Sequence, residues 1–416
     1  MPIRVWGTGP VGRRRLLAVA AVPLLTTASG VTLVQEHRPG DRPPTSRQPA
    51  AVPTGSGAAE RSPAATGPAG QRQLSLVAAG DILVHPAVAE QARTDARRAG
   101  RAGYDFFPMF QQVTPVISKA DLALCHLEIP LGEPSGPFAG YPRFNAPPQL
   151  LDGIRRAGFD GCSLASNHTL DQGEQGVVRT IDAFEAAGLG HTGSARTPAE
   201  ASRPRIYDRS GIKVAHLAYT LHFNGLSRPA GKDWLANQIE PAQILAAARR
   251  ARAAGAAIVV LSLHWGTEYQ HPPDADQQRW AQQLITSPDI DLILGHHAHV
   301  VQPFQRRGDK WVVFGMGNEL ARHAEPIDAN REGVMARITF TETAPGRWRI
   351  SRVEAIPTWT DLAPDIRLVD LAAALAAPAT PVERRRVYQA AYDRVSAQVS
   401  ALGGRRAGLV VVQPGG

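Results

Sequence analysis

Three histidines in four positions, His296, His297 and His299, follow directly on the aliphatic run of "LILGHHAHVVQP". Imidazole is a poor core filler and a good metal ligand, so a strand-like segment ending this way points to a bound cation. Other apolar runs stop on the same kind of residue. "LVAAGDILVH" reaches Asp81 and then His85, and "LALCHLEIPL" reaches His126 and Glu128. "CSLASNHTLDQG" delivers Asn167, His168 and Asp171, "IVVLSLHWGTEY" delivers His264 and Glu268, and "VVFGMGNEL" delivers Gly317 and Asn318. Taken singly, each has an ordinary explanation, such as a helix N-cap for Asp81 or a turn for Asn167. Taken together, carboxylates, an amide and imidazoles without thiolate suit divalent Mn, Fe or Zn rather than a sulfur-ligated structural zinc.

Residues so far apart in the chain meet only if the elements bearing them share an edge. Short apolar runs alternate with amphipathic stretches from Leu74 onward. Strands are expected at Leu74–Ala79, Asp121–Cys125, Gly161–Leu164, Lys213–Tyr219, Ala257–Leu263, Asp291–Leu294 and Trp311–Phe314. Helices are expected at Pro148–Ala157, Gln175–Ala187, Pro241–Ala254 and Ala275–Thr286. This alternation predicts an α/β domain with largely parallel pairing, in which ligands bind outside the carboxyl ends of the strands. "GVMARITFTE" and "RWRISRVEAIPTWT" read as antiparallel strands closing a second sheet. Beyond Asp365, Leu368–Ala376 and Val382–Leu402 read as helices of a peripheral extension without recognisable chemistry.

The chain has 416 residues, 43% of them apolar, enough for a sizeable core, and a formal net charge of +8. Its arginines are not gathered beside aromatic residues, which argues against nucleic acid as a partner. The two cysteines, Cys125 and Cys162, fall in apolar strand-like segments and read as buried free thiols. At the N-terminus, Arg13–Arg15 precede the apolar "LLAVAAVPLL", the pattern of a signal peptide or an uncleaved membrane anchor. A Pro-, Ala- and Gly-rich stretch follows, too poor in large apolar residues to fold, and reads as a disordered spacer. The expected layout is therefore signal or anchor at 1–34, linker at 35–72, catalytic-type domain at 73–360 and helical extension at 361–416.

"GDILVH", "LEIPL", "SNHTLDQG", "HWGTEY", "GHHAHVVQP" and "GNEL", in this order and at these separations, resemble the CapA proteins of poly-γ-glutamate capsule synthesis, relatives of the calcineurin-like metallophosphatases. The resemblance spans roughly residues 74–335. It implies a four-layer α/β/β/α sandwich with two divalent metal ions, and an extracytoplasmic, membrane-attached or secreted role in capsule assembly. Its partners would be an anionic polymer or phosphoester substrate and capsule-synthesis membrane proteins. Residue by residue, Asp81 matches the first aspartate ligand and Glu128 stands where a bridging aspartate is usual. Asn167, His264 and His297 match ligands of the second ion, and His299 a ligand of the first.

His168 matches the residue that contacts substrate or donates a proton, with Asp171 placed to orient its ring. His85 departs from the pattern, lying four residues after Asp81 rather than two; a helix starting just after Asp81 would bring the pair onto one face. The implied chemistry is hydrolysis, two ions activating a water for attack on a phosphoryl group. A scaffold that only binds and exports an acidic polymer is the alternative, and an amide-cleaving γ-glutamyl peptidase a third. Arg143 or Arg196 would hold an anionic substrate. His126, His191 and His222 read as loop residues near the rim of the cleft.

Overall fold

The computed structural model describes residues 71–415. The signal or anchor segment and nearly all of the linker lie outside the described residues. No helix among the described residues is long and apolar enough to cross a membrane. The chain first lays down β1 (Gln73–Leu83), β2 (Leu122–Leu127), β3 (Gly161–Ser163) and β4 (Gly190–Thr192). It then builds β5 (Arg205–Arg209), β6 (Ile212–Thr220), β7 (Ile258–His264), β8 (Leu292–His296), β9 (Phe304–Arg307) and β10 (Lys310–Val313). Last come β11 (Asn318–Ala321), β12 (Glu332–Ala344), β13 (Arg347–Asp361), β14 (Arg367–Asp370) and β15 (Leu409–Val411).

These strands form two sheets. One has the order β14-β13-β12-β1-β2-β3-β4, with β11 pairing β1 and β15 pairing β13; the other has the order β5-β6-β7-β8-β10-β9. Alternation along each strand explains why the sheets stack. Leu74, Leu76 and Ala78 of β1 meet Ile258 and Val260 of β7 in the layer between the sheets, while Val77 and Ala79 face the opposite way. That outer face is covered by helices at Pro86–Arg98, Leu150–Ala157 and Gly173–Ala186. On the far side, Val259, Leu261 and Leu263 pack under the helices Pro241–Ala253 and Ala275–Ile285. The result is the expected α/β/β/α sandwich. Strands buried on both faces need apolar residues at every position, which is why their sequences read as unbroken runs.

Some details depart from the expectation. β12 and β13 pair antiparallel with each other and, through β12, with β1, so they extend the first sheet rather than closing the second. The stretch from Leu368 starts as strand β14 and becomes helical only at Leu371, where Asp370 caps the turn through Ala373 N. The helix Val382–Ser400 buries Tyr388, Ala391, Val395 and Val399 in the layer shared with the two sheets.

The cysteines are not free. Cys125 and Cys162 sit opposite each other in the parallel β2–β3 pairing, 4.3 Å apart at Cα, and form a disulfide. Strand register brings their side chains to the same face at the same level, and spacing in sequence carries no trace of that. Two glycines let the strands bearing the candidate site come close. A Cβ on Gly80 would lie 2.2 Å from the carbonyl oxygen of Gly317, and one on Gly295 would lie 1.8 Å from that of Phe314.

Candidate metal centre

Asp81 stands near the end of β1, Glu128 just beyond β2, and Asn167 four residues beyond β3. The second sheet contributes His264, the last residue of β7, and His297 and His299 from the turn after β8. All six are at least nine-tenths buried. The turn is held in an unusual backbone conformation, with φ of 91° at His297 and 54° at His299. Non-glycine residues adopt such angles at a cost, and the surrounding structure must enforce them. Here the backbone N–H of His297 donates to Asp81 Oδ2 at 3.0 Å, tying the turn to the first sheet.

Three sets of donor atoms converge, one of them Asp81 with His126 and His296 behind the other two. Of those two, Asp81, Glu128 and His299 form one, and Glu128, His264 and His297 the other, each with atoms within 4.8 Å of one another. Glu128 belongs to both. Asn167 joins the second set, its Oδ1 lying 3.0 Å from His264 Nε2. Asn318, at the start of β11, places Oδ1 2.9 Å from His299 Nδ1. Both carboxylate oxygens of Glu128 are buried without a hydrogen-bond partner, as is Nδ1 of His297.

Burial, reinforced by the charge of Asp81, pushes the Glu128 carboxyl well above the usual range. Burial pushes His297 and His299 down to about 3, and His264 well below its ordinary value. A buried carboxyl with two bare oxygens, facing neutral imidazoles, is unfavourable by itself and well suited to cations. The donor set fits divalent ions of the kind its oxygen and nitrogen atoms suggest.

Behind these donors lies a second layer that sequence reasoning placed elsewhere. His126 is on β2 and fully buried, not on a loop at the rim. Its Nε2 lies 2.9 Å from His264 Nδ1, its Nδ1 2.7 Å from Ser163 Oγ, and its ring stacks on His296 at 4.1 Å. His296 Nδ1 in turn lies 3.0 Å from Asp81 Oδ1. His296 therefore orients a carboxylate, while its neighbour His297 faces the converging donors. His323, reached by no motif, contacts Asn318 through Nε2 at 3.1 Å and lies beside the His299 ring.

His168 and Asp171 form a separate pair, with His168 Nδ1 2.7 Å from Asp171 Oδ2. The same oxygen accepts the backbone N–H of Phe144 at 2.7 Å, so the carboxylate is fixed before it fixes the imidazole. The Phe144 ring packs edge-on against His168 at 4.8 Å. His222 lies exposed near His297, at 5.4 Å between rings.

Three expectations need correction. His85 does not sit one helical turn from Asp81, because β1 continues to Leu83 and the helix starts only at Pro86, with His85 as its N-cap. His85 Nδ1 is 3.1 Å from Leu83 O, its ring packs on His323 and Phe144, and it joins none of the converging sets. Arg196 is engaged by Glu185, Glu200 and Asp182 and is not an available anion clamp. His191 is buried on β4 in a different cleft.

Fold and site thus define a two-sheet α/β/β/α protein with a candidate polynuclear cation centre set across the edge where the sheets meet. Residues 75–322 match the family Bacterial capsule synthesis protein PGA_cap, and the chain belongs to that family. It is 26% identical over 253 residues to the capsule biosynthesis protein CapA of Bacillus anthracis, covering 59% of this chain and 59% of that protein. It is 24% identical to the PGA biosynthesis protein CapA of Bacillus subtilis, covering 48% of this chain and 52% of that one. The chain thus matches between half and three fifths of the length of these relatives. Among solved structures, it is similar to the calcineurin-like phosphoesterase YfkN of Bacillus subtilis, with a TM-score of 0.45, 14% identity, and coverage of 78% of this chain and 97% of that one.

Proposed function

We propose that this chain is an extracytoplasmic, metal-dependent hydrolase of phosphoester type that acts in the assembly of an anionic capsule polymer such as polyglutamate. One observation carries the reading: Glu128, buried with two unpartnered oxygens, joins two of the three sets of converging donors. Asp81, Glu128 and His299, with Asn318 beside them, would hold one ion; Glu128, Asn167, His264 and His297 would hold the other. Bound divalent ions of the Mn, Fe or Zn type supply water activation and charge neutralisation at a phosphoryl group.

The chain's own residues do the rest. With Nδ1–H donated to Asp171, the His168 ring exchanges its proton at Nε2, the position from which it would protonate a leaving oxygen. The Asp171 carboxylate keeps the ring from rotating. Arg143, exposed on the loop beside Phe144, would meet the negative charge of a substrate. The Cys125–Cys162 disulfide supports an oxidising compartment outside the cytoplasm.

The test is hydrolysis of bis-p-nitrophenyl phosphate by the full chain with and without Mn2+. Hydrolysis that requires the ion, and that His168→Ala abolishes while metal content stays unchanged, supports the reading. The relatives' names describe capsule, PGA and polyglutamine synthesis, which favours a second reading, a metal-containing scaffold that binds acidic polymer. A metal-loaded, inert chain that retains poly-γ-glutamate would establish that one instead.

A further inference from the structure

A cleft of about 770 Å³ opens beside β4, lined by Glu185, His191, Ser194, Arg196, Glu200 and Arg205 among others. It shares no residue with the centre described above. His191 forms its wall. The ring is only 4% exposed, yet neither nitrogen has a hydrogen-bond partner. A buried imidazole normally satisfies at least one nitrogen, because leaving both bare forfeits the hydrogen bonds water would provide. Its nearest polar neighbours are carboxylates. His191 Nε2 lies 4.0 Å from Glu185 Oε1, and one donor atom each from Glu185, His191 and Glu200 fall within 4.8 Å of one another.

We infer that Glu185, His191 and Glu200 form a second, independent site for a divalent transition-metal ion. The three residues come from three elements: the helix Gly173–Ala186, strand β4, and the short helix Pro198–Ala201. One imidazole and two carboxylates without sulfur suit Zn2+ or a neighbouring ion, whereas Ca2+ and Mg2+ call for oxygen alone. Donors around an ion with bonds of about 2.1 Å are about 3.4 Å apart, so the cluster closes by roughly an ångström on binding. Glu185, with a side chain 47% exposed, has room for that movement, which must be made together with the Arg196 guanidinium that holds both its oxygens.

Arg196 is the supporting residue. Its guanidinium reaches Glu185 Oε1 at 2.6 Å, Glu200 Oε1 at 2.8 Å and Asp182 Oδ1 at 2.7 Å. Each ionised carboxylate has about four lone-pair positions, so an arginine and a metal can share it, and ligating carboxylates are commonly held by such outer partners. Arg196 keeps Glu185 and Glu200 below the usual carboxylate range, and burial keeps His191 neutral, its value lowered to about 4. All three donors are therefore in ligating form at neutral pH.

The test is Zn2+ binding to the full chain by calorimetry, with Ca2+ as the comparison ion. It is run on the natural chain and on a chain whose main centre is disabled by Asp81→Asn and His264→Ala. The disabled chain should still bind one equivalent of Zn2+, at least tenfold more tightly than Ca2+, and Glu185→Gln should weaken this by tenfold or more. His191→Ala should abolish it; where that variant fails to fold, the surface change Glu185→Gln decides. A disabled chain that binds no Zn2+, or binds it equally with Glu185→Gln or Glu200→Gln, overturns the inference and leaves an arginine–carboxylate cluster. A natural chain that binds only this one equivalent would count against the proposed function and not against this site.

Discussion

Nε2 of His126 lies 2.9 Å from Nδ1 of His264, two buried imidazoles joined edge to edge between the two sheets. With a cation bound at His264, the contact would fix which nitrogen of each ring carries a proton. If His264 is to offer the lone pair of Nε2 to a cation shared with Asn167 and Glu128, its Nδ1 must hold the hydrogen and donate it to His126. His126 then donates from its own Nδ1 to Ser163 Oγ at 2.7 Å. Replacing an outer partner of this kind costs roughly 10–100-fold in metal affinity. His126→Phe should weaken Mn2+ binding by that factor while His126→Gln, which can still accept from His264, loses less. Equal affinity in all three chains would show that the contact has no orienting role.

Glu128 is a liability without its ions. Its carboxyl is raised well above the ordinary range, so in the metal-free chain it prefers to be protonated, and stability falls as pH rises past the usual carboxylate value. Glu128→Gln removes that dependence. At pH 8 the chelator-treated variant should be more stable than the natural chain. The same variant should lose cation binding at the main centre. Urea unfolding in EDTA measures the first effect; a lower midpoint for Glu128→Gln would contradict it.

Buried neutral histidines make the chain acid-sensitive. His216, inside β6 and 2.9 Å from Ser262 Oγ, is lowered by burial to about 3, and His191 to about 4. Unfolded, each returns to an ordinary value of about 6.5. Between these limits the unfolded chain binds protons that the folded one refuses, so this stability is complete above about pH 6.5 and is lost as pH falls toward 4. Each such histidine contributes a slope of up to about 1.4 kcal/mol per pH unit. Urea midpoints of the metal-free chain should drop steadily from pH 7 to pH 5, and His216→Phe should make that curve shallower. A flat curve would mean that these rings are protonated in the fold.

The disulfide closes a stretch of 37 residues. Chain entropy assigns such a loop about 4 kcal/mol of stability. Cys125→Ala with Cys162→Ala should lower the unfolding free energy by a few kcal/mol. Because His126 and Ser163 are the next residues on the same two strands, the double variant should also weaken cation binding. Unchanged stability on treatment with reductant, with reduction verified by thiol titration, would contradict this.

How much of this was legible in advance depended on whether the controlling interaction was local. Strands β1, β2, β7 and β8 were visible because strands buried on both faces are apolar throughout, and the abrupt arrival of Asp81, Glu128, His264 and His297 marked where each run met solvent or ligand. The role of His126 was hidden, because its partners Ser163 and His264 are 37 and 138 residues away and nothing near it distinguishes a rim loop from a strand. The cysteine pairing was hidden for the same reason, since it follows from the register of β2 on β3. Arg196 was misread although Glu200 lies only four residues on; its other partners, Asp182 and Glu185, arrive from the preceding helix. His323 had no pattern around it at all.

The donors of the main centre divide between the layers of the sandwich. Asp81, Glu128 and Asn167 ride on one sheet, and His264, His297 and His299 on the other. The separation of the two halves is set by the side chains wedged between the sheets, Leu76 and Val260 among them. Coordination bonds tolerate deviations of only about 0.2 Å. Adding or deleting a methyl group in that hydrophobic filling therefore retunes the grip on an ion some residues away. Drift in the volume of those residues has to be mutually compensating for the pocket to keep its gauge.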